Sequence, residues 1–229
     1  MTTTIILLIL TMAISAWASM RVRSQFNRWS QVPVWSRLTG AEAARRILHD
    51  AGIYDVDVVA VEGTLTDHYD PQRKVLALSE PVYSGRSVAA LGVAAHEAGH
   101  AMQHAHGYNP LHWRMAAVRS ATTASWMVMV APILFGFAGQ LFLGLLVATV
   151  GLGILMLFNL VTLPVEFDAS RRAKLVLARS GMVAPGEETT GVSKVLNAAG
   201  LTYVAAFLSS LVWFVFRLIE LAGLQQREE

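Results

Sequence analysis

The chain has 229 residues, of which 15% are charged and 54% hydrophobic, whereas a soluble domain would carry nearer a quarter charged. A formal net charge of +2 excludes a nucleic-acid surface built on bulk charge, so no nucleic-acid partner is expected. With no cysteine there is neither a disulfide nor a thiolate metal site, and any zinc must be held by nitrogen and oxygen.

The first apolar stretch, 5–20, is extended by the uncharged Thr2, Thr3 and Thr4 to about the 20 residues that a bilayer crossing needs. Ala16-Trp17-Ala18 is similar to a signal-peptidase site, which would make a secreted, cleaved protein. The start lacks a positive segment, however, and Arg21 and Arg23 follow the apolar run at once, so a retained anchor is expected. Residues 21–33 read as a basic connection at the membrane surface, with Trp29 and Trp35 suited to the interface.

Thr39-Gly40-Ala41-Glu42 is a capping box that opens a helix through Ile47 and Leu48, stopped by Gly52. The β-branched or apolar runs 56–61 and 75–78 flank Asp67 to Lys74 and predict a small antiparallel sheet with its turn at Asp70-Pro71. Ser87 is placed to cap a helix whose apolar positions Val88, Leu91, Ala95 and Ala98 follow the helical period. After Gly107 the chain breaks at Asn109-Pro110. Three more apolar stretches follow: 121–139 with Pro132 inside it, 141–163, and 201–224, where Arg217 and Glu220 are spaced to pair along one face. Gln140 and its neighbours leave room only for a tight hairpin between the second and third.

The expected fold class is therefore a mainly α integral membrane protein, with four transmembrane helices and a small α+β cytosolic portion. Its expected divisions are a first span at 1–20, a cytosolic region at 21–118 with the two capped helices and the small sheet, and a membrane hairpin at 119–163. A cytosolic helix and loop at 164–199, a last span at 200–224 and a tail at 225–229 complete it. Arg21, Arg23, Arg28 and Arg37 follow the first span, Arg114 and Arg119 precede the second, and Arg171, Arg172, Lys174 and Arg179 follow the third. With four spans, all of them fall on one side, which the positive-inside rule makes the cytosol.

His96-Glu97-Ala98-Gly99-His100 lies in the capped helix. Residues four apart share a helix face, so both imidazoles can serve one metal, while Glu97 can reach a water at the open position without becoming a ligand. A third protein ligand is required. His106 has the metzincin spacing, but Gln103 stands where that turn needs glycine. His104 lies about 6 Å along the axis from His100, awkward for tetrahedral closure. Glu166, just after the third span and Pro164, would emerge at the cytosolic membrane surface and is the favoured ligand. Each alternative to this reading has its own signature: an inactive membrane scaffold would lack zinc, and a metzincin-like protease would use His106.

Several phrases in order extend the motif: Leu65-Thr66-Asp67-His68-Tyr69-Asp70-Pro71, Ala94-Ala95-His96-Glu97-Ala98-Gly99-His100-Ala101, Leu163-Pro164-Val165-Glu166-Phe167-Asp168-Ala169-Ser170-Arg171-Arg172-Ala173, and Leu201-Thr202-Tyr203-Val204-Ala205-Ala206. Over nearly the whole chain these resemble the YugP-like neutral zinc metallopeptidases, a bacterial membrane family, and more distantly gluzincins of the HtpX and CAAX-protease type. The resemblance implies a zincin-like catalytic portion with one Zn²⁺ per chain, His96 and His100 as ligands, Glu97 as base and Glu166 as third ligand. It also implies a peptide or membrane-protein substrate and a multi-pass place in the bacterial inner membrane. The wider group has an aspartate four residues after the third ligand to orient a histidine; here that position is Ser170. Asp168 is a candidate for supporting a ligand, although a carboxylate at a helix start is also an ordinary dipole partner. His68, Tyr69, Arg171 and Arg172 are candidates for stabilising the oxyanion, and the residues alone do not choose among them.

Overall fold

In a computed structural model, which describes residues 2–225, the order of elements is α1 (Thr2–Ser30), α2 (Gly40–Asp50), β1 (Asp57–Val61), β2 (His68–Asp70), β3 (Val75–Ser79), α3 (Glu80–Tyr83), α4 (Val88–Ala105), α5 (Asn109–Phe137), α6 (Leu141–Arg179) and α7 (Glu187–Gln225). Met1 and residues 226–229, which hold most of the expected tail, lie outside the described residues. Four of these helices, α1, α5, α6 and α7, are long and apolar enough to cross a membrane.

The chain divides into two compact units. The first comprises 1–16, 112–163 and 203–229, the second 17–111 and 164–202.

The first unit consists of apolar helical segments. Its large side chains are widely exposed, as at Ile133, Leu134, Phe137 and Leu157, which suits surroundings of lipid. Small residues set how closely its helices approach. A Cβ on Gly144 would lie 2.8 Å from the Ala131 carbonyl oxygen, and one on Gly151 would lie 2.9 Å from that of Ala124. Only glycine lets the α5 and α6 backbones touch at those two points. Gly139, at φ +73°, makes the tight turn between them. Asn159 donates to Ser210 Oγ at 3.1 Å, and the Trp213 indole donates to Thr11 Oγ1 at 3.2 Å. Arg217 and Glu220 pair at 2.6 Å, as their spacing predicts.

The second unit holds the buried core, built from α2, α4, the sheet and the segments of α1, α6 and α7 that belong to it. Thr39 and Glu42 form the reciprocal capping box, and Ser87 caps α4 by accepting from the Ala90 amide. The sheet differs from the expected antiparallel pair. Its order is β1-β3-β2, with β1 parallel to β3 and β2 antiparallel to it. Asp70 explains the hairpin: its carboxylate accepts from the amides of Gln72 and Arg73, closing a turn that joins β2, rather than β1, to β3. Leu76, Ala77 and Leu78 are all buried, as a central strand covered on both faces requires.

Two helix ends also differ from the expected boundaries. The basic connection after 5–20 is helical through Ser30, since nothing before Pro33 breaks a helix. Pro164, suited to the first turn of a helix or to a kink within one, lies inside α6, so the expected division at 163/164 is no helix boundary and Glu166 stands within a continuous helix of 39 residues.

Candidate metal centre

The cluster forms where α4 meets the Pro164–Arg179 part of α6. His96 and His100, one turn apart on α4, have ring centroids 4.8 Å apart and planes at 82°. Oε2 of Glu166 lies 3.2 Å from His96 Nε2 and 3.5 Å from His100 Nε2. One ligand atom from each of the three lies within 4.8 Å of the others, and all three side chains are buried.

Gly99 makes this meeting possible. A Cβ there would lie 2.7 Å from the Ala169 carbonyl oxygen, and real Cβ atoms do not approach that closely. The glycine between the two histidines thus lets α4 rest directly on the α6 backbone, within reach of Glu166.

The outward ring nitrogens are also held. Gln103, fully buried, donates from Nε2 to the Val165 carbonyl oxygen at 2.8 Å and to Asp168 Oδ2 at 3.0 Å. Both amide hydrogens are thereby used, so its Oε1, 3.0 Å from His100 Nδ1, must be the acceptor. His100 then carries its proton on Nδ1 and turns the Nε2 lone pair toward Glu166. Ser170 Oγ lies 3.1 Å from His96 Nδ1 and can hold that ring in the same sense.

Two nitrogen lone pairs and a carboxylate oxygen aimed at one buried point repel unless positive charge lies among them. The donor set, nitrogen and oxygen with no thiolate, fits zinc. The same demand acts on His100. Burial opposes its charged form, but hydrogen bonding to Glu166 and the nearby carboxylates outweigh this and raise its pKa. Burial also raises the pKa of Glu97, partly opposed by His96 and His100.

The other residues singled out in the sequence take definite partners. Asp168 reaches His100 only through Gln103, and Arg171 at 2.6 Å and Arg172 at 2.5 Å brace its carboxylate. Tyr69, on β2, has its hydroxyl 2.9 Å from His104 Nδ1, and burial pushes its pKa up to about 12, so it stays protonated. His68 is exposed, with Nδ1 2.9 Å from the Thr66 carbonyl oxygen. His106 follows the end of α4, exposed, with Nδ1 2.6 Å from the Met102 carbonyl oxygen of its own helix, and does not join the cluster.

Sequence reasoning missed Gln103 as a support. The usable signal was its position three residues beyond His100, on the same helix face. Gln103→Leu would leave His100 Nδ1, the Val165 carbonyl and Asp168 without a shared partner. Zinc affinity is expected to fall by about 10–100-fold, measured by chelator competition, with an unchanged affinity counting against the relay.

A protein family described as "Putative neutral zinc metallopeptidase" matches residues 4–222 of this chain. The "Putative membrane protease YugP" of Bacillus subtilis (strain 168) is 50% identical over 212 residues, covering 90% of this chain and 91% of that protein. No solved structure matches the chain.

Proposed function

The chain belongs to the neutral zinc metallopeptidase family, and on that premise we propose that it hydrolyses peptide bonds with His96, His100 and Glu166 holding one zinc ion and Glu97 as general base. The observation that carries the proposal is the convergence of three buried donor atoms beside a buried carboxylate. A zinc ion held there supplies the Lewis acid that acidifies water and polarises the scissile carbonyl.

The chain's own residues do the rest. Glu97, its pKa raised by burial, takes the proton of the attacking water and returns it to the leaving amine nitrogen. Gln103, anchored by Val165 and Asp168, holds His100 in the tautomer that ligates, and Ser170 steadies His96. In this role Ser170 replaces the aspartate found four residues after the third ligand in the wider gluzincin group.

The substrate is a peptide or a membrane protein, cut at the cytosolic surface of the bacterial inner membrane. Sequence supports this placement: Glu166 follows the apolar run 141–163 by three residues, and the arginines and lysines collect on one side. Glu166→Ala is expected to lose zinc, whereas His106→Ala is expected to retain about one zinc per chain, measured by elemental mass spectrometry. The reverse result would make the site metzincin-like.

A further inference from the structure

A second cluster of charge lies outside the metal centre. Arg21, Gln25 and Arg28 on α1 and Lys194, Asn197 and Leu201 on α7 line a cleft of about 400 Å³. Among the described residues, no carboxylate pairs with Arg21, Arg28, Lys194 or the neighbouring Lys174.

The cleft is built on a fixed support. A Cβ on Gly191 would lie 2.4 Å from the Trp29 ring, so the indole, 3% exposed, rests against the α7 backbone. Gln25 Oε1 accepts from the indole N–H at 3.3 Å. Arg28 Cζ and Lys194 Nζ lie 5.6 and 5.7 Å from the centre of that ring. The ring thus gathers two cations that would otherwise repel. Lys174 donates to Asn197 Oδ1 at 2.7 Å, which leaves the Asn197 amide nitrogen as a further donor.

We propose that this cleft binds the phosphate of an anionic phospholipid headgroup. Three cations and two side-chain amides surround it without an acid, which suits a multiply acceptor-bearing anion. A lipid is favoured over soluble phosphate by the sequence on either side. Arg21 follows directly on the apolar stretch 5–20, and Leu201 opens the stretch 201–224. A headgroup seated there would have its acyl chains beside apolar helix.

The test uses the full chain, stripped of lipid, in a neutral maltoside micelle, with native mass spectrometry as the readout. Phosphatidylglycerol is expected to bind about tenfold more tightly than phosphatidylcholine. Arg28→Gln and Lys194→Gln should each weaken phosphatidylglycerol by about fivefold, with the lipid-free unfolding temperature unchanged. Arg23→Gln, on α1 but outside the cleft, should bind as wild type. Equal affinity for the two lipids, or an equal loss in Arg23→Gln, would overturn the proposal in favour of diffuse surface charge. Displacement of the lipid by millimolar inorganic phosphate would overturn the lipid assignment. Because Arg28 and Lys194 are both exposed and on different helices, either variant can decide the matter if the other fails to fold.

Discussion

Glu97→Gln is expected to lower the turnover of a peptide substrate by about 10²–10⁴-fold while retaining one zinc per chain. Glutamine matches the size of the buried side chain, so its neighbours need not move. It cannot take a proton from water, so the loss should appear in kcat. Stability should not fall: burial disfavours the charged carboxylate at this position, and a neutral amide removes that cost. Turnover, metal content and unfolding temperature together distinguish a lost base from a lost fold. Full turnover in the variant would remove Glu97 from the mechanism.

Gly99→Ala is expected to be nearly as damaging, by a different route. In a helix, alanine is favoured over glycine by about 1 kcal/mol, so propensity alone predicts a gain. The added methyl would, however, lie 2.7 Å from the Ala169 carbonyl oxygen and 3.2 Å from its Cα, and backbone cannot swing aside as a side chain can. Overpacking costs about 1–3 kcal/mol, and separating α4 from α6 draws Glu166 away from both imidazoles. The expected result is a lower unfolding temperature with zinc affinity reduced about tenfold or more. Gly92→Ala on the same helix is the control. Its methyl would meet Val192 Cγ1 at 3.7 Å, an ordinary contact, so it should be neutral or stabilising by up to about 1 kcal/mol. Equal behaviour of the two variants would show that helix propensity, and not the close approach, governs both.

The apolar runs, the capping box at Thr39 and the cap at Ser87 were legible because each is a local signal with a local cause. The pairing of His96 with His100 was legible for the same reason. The strand order was not. Asp70-Pro71 marks a turn, but nothing in 56–78 says which strand that turn serves; the pairing is decided by which strand both faces of the core can bury, and that is β3. The run of α6 through Pro164 was equally hidden, since proline signals a break or a kink alike. Ser170 could be assigned only once the face of α6 turned toward α4 was known, because it reaches His96 through a contact between helices. Gln103 shares a helix face with His100, but the Val165 carbonyl and Asp168 that fix its amide stand on α6.

His96 and Glu166 are separated by 70 positions, and the serine that steadies His96 lies 74 positions beyond it. During synthesis the imidazole pair therefore emerges from the ribosome well before its acid. With the ligands proposed above, a nascent chain holding the motif helix alone would present only two of the three metal-binding side chains. On the proposed assignment, hydrolytic competence would arrive only when the long helix bearing position 166 docks, and assembly of the fold would itself guard against premature cleavage.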